Sequence, residues 1–235
     1  MKLAIFVAAI AASTSSLAQA QDNNEQLPRG FVPEHWVPIE NAEGERVLAH
    51  KMSGALCPRV VDGMVISALT SHSEGGNDVS CNYVADGGAE KLTVYYYKYP
   101  DLTGPKAFSG AVAGIKQVAQ TTALTVTPEA AETQRCANVL STGLSNTLPL
   151  PEGQSGYPVG YYVFDQEGPE TGAGSDVDQV SSLAVFEHDS WIVKVRYTRN
   201  DAPDQNDYYQ ACGKSAFVLI QSAEALKQNA GLRKQ

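Results

Sequence analysis

The sequence predicts an α+β fold in which a mainly antiparallel sheet packs against helices. Two patterns along the 235-residue chain predict it. Runs of β-branched and aromatic residues are separated by turns that contain Gly, Asn and Asp, which is typical of strands joined by short connections. Other stretches carry apolar residues at spacings of three and four, which is typical of helices with one buried face.

The first half of the body is predicted to contain three strands followed by a helix. The strands are expected at 60–69, 79–85 and 92–99. The helix is expected from about 105 to 121, because its apolar residues Phe108, Val112 and Ile115 share one face. Between the halves, Thr127 as N-cap and Pro128 in the first turn predict a second helix.

The second half repeats this order of elements. Strands are expected at 161–165, 180–188 and 191–199. Asp204 then serves as the N-cap of a last helix that carries Cys212 on its apolar face. In the last strand apolar and polar residues alternate, so we expect one face of the sheet to lie on helices and the other to be partly in water.

A shift of 100 residues places Leu92 over Ile192 and Tyr97 over Tyr197. Two organisations are compatible with this pattern. The body is a single α+β domain over residues 46–235, or it consists of two βββα-like halves, 46–125 and 126–235.

The N-terminus predicts export. Lys2 precedes an apolar run over 3–12, and a short polar segment then ends in Ala18-Gln19-Ala20, which together form a signal peptide over residues 1–20 with cleavage after Ala20. No later stretch is apolar enough to span a bilayer. We therefore expect a soluble periplasmic or secreted protein.

Residues 21–45 are predicted to form an extended arm, because three prolines interrupt any regular helix. The apolar residues around Trp36 indicate more than a linker. Two interpretations remain: the arm folds back and buries Trp36, or it docks another protein.

Four cysteines in an exported chain predict two disulfides. We favour Cys57–Cys81, which brackets one hairpin region, and Cys136–Cys212, which would join two helical segments. No Cys-x-x-Cys motif supports a redox role, and the spacing does not suit a zinc site.

The formal net charge of −9 makes the chain a poor partner for nucleic acid, because phosphate binding needs clustered Lys and Arg. Three segments, 54–58, 78–83 and 191–198, resemble exported proteobacterial proteins of unknown function. The strand-to-helix corner after Lys194 is also distantly similar to PsbP-like sheet proteins. These resemblances imply a small exported α+β module, and they carry over no catalytic residues.

A row of tyrosines and a pair of cations are the candidate ligand-binding residues. Tyr95, Tyr97 and Tyr99 share one face of a strand, and Lys194 and Arg196 share one face of another. Tyrosines stack on sugars or aromatic ligands, and cations bind anions. Both sets also fit a half-buried, solvated sheet surface that binds nothing.

An acidic, glycine-rich loop is a candidate calcium site. Asp165 and Glu167 precede the loop, Asp176 and Asp178 end it, and oxygen ligands on such a loop suit Ca²⁺. The order of ligands is not that of an EF-hand, so an acidic hairpin loop without metal is the alternative.

No nucleophile elbow, phosphate-binding loop or zinc-protease motif is present in the sequence. His72 with Glu74, and His188 with Asp189, each combine a base with a carboxylate. The leading hypothesis is a non-catalytic exported module that needs no cofactor and binds a protein or small ligand of the cell envelope. The alternatives are a hydrolase without a recognisable motif and a calcium-stabilised structural protein.

Overall fold

A computed structural model describes residues 27–41, 44–122, 124–149, 157, 159–167, 179–200 and 205–228. Over these residues the chain has the predicted α+β fold, with two antiparallel sheets and three helices. The helices are α1 (Gly104–Thr122), α2 (Ala130–Thr147) and α3 (Gln205–Gln228). Residues 201–204, and with them the predicted cap Asp204, lie outside the described residues.

A small sheet has the order β1-β2-β3 and a large sheet has the order β4-β5-β6-β7-β11-β10-β9-β8. The strands of the small sheet are β1 (Trp36–Glu40), β2 (Arg46–His50) and β3 (Leu56–Cys57). Those of the large sheet are β4 (Val60–Val61), β5 (Met64–Ser71), β6 (Asp78–Ala85), β7 (Glu90–Tyr97), β8 (Thr125–Pro128), β9 (Gly160–Glu167), β10 (Gln179–His188) and β11 (Trp191–Asn200).

Helices cover both faces of the large sheet, which differs from the expected single covered face. The main core lies under α2 and α3 and includes Val193, Val195 and Tyr197 of β11, as the alternation predicts. The opposite face carries a second core, which includes Leu183 and Ile192, under α1. Because α1 packs mainly on β8, β9 and β10, much of the same face of β6, β7 and β11 lies beside the helix, although Tyr97 and Ile192 belong to the core under it.

The central pair of strands, β7 and β11, joins the two halves into one sheet, with Leu92 opposite Tyr197 and Tyr97 opposite Ile192. Leu92 is buried in the core under α2 and α3, whereas Ile192 is buried in the core under α1. The shift of 100 residues therefore aligns side chains that face opposite sides of the sheet.

The region of Thr127 and Pro128 is strand β8, and the expected helix start there is wrong. Pro128 pairs with Phe164 on the outermost strand of the sheet, where a missing N–H breaks no ladder. The helix begins two residues later at Ala130, after the Glu129 N–H has bonded the Val163 carbonyl at 3.0 Å.

The N-terminal segment folds onto the domain. Residues Trp36–Glu40 form β1 and pair with β2, so the arm is not simply extended. Trp36 is 1% exposed and packs against the ring of His50 at 5.0 Å between centroids. This burial leaves the Trp36 ring inside the core.

Two disulfides tie the layers together, and their pairing is the one expected from the sequence. Cys57–Cys81 joins the small sheet to β6, with 6.2 Å between the Cα atoms. Cys136–Cys212 joins α2 to α3, with 5.7 Å between the Cα atoms. Among the described helices none is both long and apolar enough to cross a membrane.

Candidate functional site

Helix α1 is held in place at its first turn. The Gly104 N–H donates a hydrogen bond of 2.8 Å to the Glu187 carboxylate on β10, so a side chain from the sheet caps a helix that has no acidic residue in its own first turn. One turn later, Phe108 packs directly on Gly160 of β9, where a methyl group would clash with the ring. These two contacts hold the helix over β9 and β10.

The side of α1 that faces the uncovered strands consists mostly of small residues, and only Ile115 and Val118 are larger. Ala107, Gly110, Ala111 and Gly114 line the space between the helix and the sheet. Because their side chains are short, a groove remains there. It consists of a cavity of about 420 Å³ and an adjoining one of about 220 Å³.

The sheet wall of the groove is built by strand register. Ser80 of β6 pairs with Tyr95 of β7, and Tyr95 pairs with Lys194 of β11, so the three side chains form a row across the sheet. The next row is Asn82, Thr93 and Arg196. All five candidate ligand-binding residues line the groove: Tyr95, Tyr97, Tyr99, Lys194 and Arg196.

Tyr95 is a platform for a cation. The Lys194 ammonium lies 3.8 Å from the centroid of the Tyr95 ring and 5.6 Å from that of Tyr97. The His72 ring stacks on Tyr95 at 5.9 Å between centroids and shares a hydrogen bond of 3.0 Å with the Ser80 hydroxyl. With Lys194 and His72 against it, Tyr95 is not the open stacking surface that the sequence suggested.

Tyr97 and Tyr99 differ in exposure. Tyr97 is 9% exposed, and burial raises the pKa of its hydroxyl well above the usual range. Tyr99 lies beyond the end of β7, not within the strand as expected, and is 42% exposed. Its hydroxyl donates a hydrogen bond of 2.6 Å to Asp78, which raises the pKa of Tyr99.

The two cations of the groove are partly buried and lack a partner of opposite charge. Neither Lys194 nor Arg196 forms an ion pair with a carboxylate of the residues that the structure describes. Burial lowers the pKa of the Lys194 ammonium, although the charge of Asp78 raises it in part. Burial likewise lowers the pKa of Arg196, and its Nε is a buried donor with no acceptor in the described part of the chain.

Of the acidic residues proposed for calcium, the two that the structure describes, Asp165 and Glu167, do not line the groove. Asp165 is buried on the α3 side of the sheet, where its carboxylate accepts a hydrogen bond from the Tyr208 hydroxyl. Glu167 is exposed at the end of β9, and Asp176 and Asp178 lie outside the described residues. No group of three or more potential metal ligands occurs among the described side chains.

The four residues considered for acid–base chemistry do not share a pocket. His72 lines the groove beside α1, and Glu74 contributes its backbone carbonyl to His35 at 3.1 Å. His188 lies on the opposite face, with its Nδ1 3.3 Å from the Tyr157 hydroxyl and its Nε2 3.6 Å from Asp189. The convergence that a catalytic site requires is therefore not found among these four residues.

A larger cavity, of about 540 Å³, lies on the α3 side of the sheet, between that helix and β4. The charged residues that line it are all acidic, namely Asp62, Glu45 and Glu224. It contains none of the candidate ligand-binding residues, so the groove beside α1 is the better candidate site.

Sequence analysis missed two parts of the groove. The first is Asp78, whose place beside Tyr97 follows from the pairing of β6 with β7. The small residues of α1, Ala107, Gly110, Ala111 and Gly114, were visible at spacings of three and four. That these small residues line a groove follows only from which strands the helix covers.

Comparison of the sequence with protein-family models finds no match, and no curated protein matches it significantly. The function of this chain is therefore argued from the groove.

Proposed function

We propose that this protein is an exported, non-catalytic binding protein of the periplasm or the extracellular space, and that it holds a small ligand in the groove between α1 and the sheet. Three features support the proposal. The N-terminus has the layout of a signal peptide, the four cysteines form two disulfides, and the groove has the size of a small-molecule site.

One observation supports the choice of the groove beside α1 as the binding site. The five residues singled out by residue type lie on β7, just beyond its end and on β11, and all of them line one groove. A sheet surface that only supports the fold would normally be filled by large side chains from the helix above it. Here most of the helix residues that line the groove are alanine or glycine, and the larger Ile115 and Val118 line only its smaller cavity.

The test uses a substitution that fills the groove and leaves its polar residues unchanged. Gly110 lines the groove, and a Cβ added there meets no atom within 4 Å. Gly213 on α3 is exposed and equally unobstructed. Gly110→Leu and Gly213→Leu should both raise stability by up to about 1 kcal/mol, since leucine favours a helix over glycine.

Only Gly110→Leu should affect binding. A panel of metabolites is screened by thermal shift against the wild type and both variants. Compounds that stabilise the wild type and Gly213→Leu should lose their effect on Gly110→Leu. Equal stabilisation of all three proteins would place the ligand outside the groove and contradict the proposal.

A further inference from the structure

We infer that the groove recognises its ligand through an oxyanion, a carboxylate or a phosphate group, held between the Lys194 ammonium and the Arg196 guanidinium. This inference rests on the proposed function and specifies the chemistry of the same site.

The geometry of β11 places the two cations together. They are two residues apart on one strand, so their Cα atoms are separated by about 7 Å and both side chains point to the α1 side of the sheet. Lys194 lines both cavities of the groove and Arg196 lines the smaller one. A single anionic group between the side chains would contact both.

The cations near the other face of the sheet form ion pairs with carboxylates, as partly buried charges usually do. Lys214 lies 2.5 Å from the Glu90 carboxylate. Arg199 lies 3.8 Å from the same carboxylate and 3.4 Å from that of Asp207. Partly buried cations are normally paired in this way, because an unpaired charge loses hydration without compensation.

Neither Lys194 nor Arg196 is paired with a carboxylate in this way among the described residues. The Lys194 ammonium lies against the aromatic faces of Tyr95 and Tyr97, and the charge of Asp78 offsets its burial only in part. The Arg196 Nε has no acceptor in the described part of the chain. A guanidinium presents its donors in a fork that matches the two oxygens of a carboxylate or phosphate. A bound oxyanion would accept a hydrogen bond from the Nε and offset the positive charge of the pair, a carboxylate in part and a dianionic phosphate in full.

The other side chains that line the groove indicate the chemistry of the rest of the ligand. Near the cations the wall is mostly apolar, formed by Ala111, Ile115, Val118 and Leu183, and Gln166 adds one polar side chain. Among the described residues that line the groove, the one acidic residue is Asp78, which lies in the larger cavity together with Lys194 and already accepts a hydrogen bond from Tyr99. The groove thus fits an organic acid or phosphate ester with a small apolar body.

Isothermal titration of the exported, disulfide-bonded chain tests this inference with two matched pairs of probes. Benzoate is compared with benzamide, and phenyl phosphate with phenol, at constant ionic strength. We expect at least one anion to bind saturably, and to bind at least about tenfold more tightly than its neutral partner, the equivalent of one charge-assisted hydrogen bond. The two anions distinguish a carboxylate site from a phosphate site.

Three variants locate the binding. Lys194→Met and Arg196→Met should each weaken binding of the anion by about tenfold or more. Lys91→Met removes the same charge from an exposed position on the same face of β7, and should change the affinity less than about twofold. Equal losses in all three variants would show a general effect of net charge and overturn the inference.

The inference and the proposed function fail in different ways. If benzamide or phenol binds as tightly as its anionic partner and Gly110→Leu abolishes that binding, the groove is a ligand site and the oxyanion inference is wrong. If neither anion binds, the inference is also wrong. The thermal-shift screen then decides separately whether the groove binds another class of ligand.

Discussion

The Lys194 ammonium lies 3.8 Å from the centroid of the Tyr95 ring, directly across the β7–β11 pair. The contact holds a long, flexible cation in one position on the sheet. It also explains why a tyrosine on this face need not contact a ligand itself. Tyr95 positions the charge that the ligand would meet.

The contact between Lys194 and the Tyr95 ring leads to the first prediction. Tyr95→Phe keeps the ring under Lys194 and should leave the affinity for phenyl phosphate within about twofold of the wild type. Tyr95→Leu removes the ring and should weaken binding by about two- to fivefold, the value of a cation–π contact at a partly exposed site. Titration calorimetry measures both. Equal losses in the two variants would assign the effect to the hydroxyl instead.

A buried histidine predicts how stability depends on pH. His50 is fully buried between Trp36 and Trp191, and burial lowers its pKa from 6.5 to about 4. Between these two values the unfolded chain binds a proton that the folded protein does not. The free energy of unfolding should therefore fall as the pH drops through this range, by about 3 kcal/mol from this residue.

The measurement is urea unfolding of the wild type and His50→Phe at about pH 7 and about pH 4. The variant loses the bond of 2.8 Å between His50 Nδ1 and the Ser53 hydroxyl at both pH values. The loss of stability on acidification should be smaller for the variant than for the wild type. The same loss for both proteins would show that His50 titrates normally in the folded state.

The two disulfides should differ in their contribution to stability. Cys136–Cys212 spans 76 residues and Cys57–Cys81 spans 24. On the chain-entropy model, replacing the first pair by alanine should cost about 4 kcal/mol and the second about 3 kcal/mol. Urea unfolding of the two double variants measures the order. A larger loss for the shorter loop would contradict the entropic account.

The contact of α1 with β9 predicts the effect of one added methyl group. Gly160→Ala should destabilise the protein by about 1–3 kcal/mol, because the new Cβ meets the Phe108 ring. Gly110→Ala adds the same group where no atom lies within 4 Å and should be neutral or stabilising. Thermal unfolding compares the two. No loss in Gly160→Ala would mean that α1 shifts without cost.

Most elements of the fold could be predicted from residue patterns, because alternation and helical spacing are local. The side of the sheet on which α1 packs could not be predicted in this way, since it depends on contacts between distant strands. One signal was present: β10 contains an unbroken apolar run from Leu183 to Phe186, which is typical of a strand covered on both faces. The helix start expected at Pro128 was wrong because proline is compatible both with the first turn of a helix and with an edge strand.

The candidate site was predictable in its residues but not in its shape. Tyr95, Tyr97, Lys194 and Arg196 were recognisable by type and by strand periodicity. That Lys194 would cover Tyr95 follows only from the β7–β11 register, which places them opposite each other. Sequence analysis therefore offered stacking on the tyrosines and binding to the cations as separate interpretations, whereas the structure combines them.

The central claim is that the ligand occupies the groove beside α1, and methyl NMR tests it most directly. Protein labelled at the methyl groups of alanine and valine is titrated with each compound that stabilises it in the thermal-shift screen. The account predicts saturable shifts at Ala107, Ala111 and Val118, which line the groove. Shifts confined to Val218 and Ala225, which line the larger cavity beside α3, would contradict it.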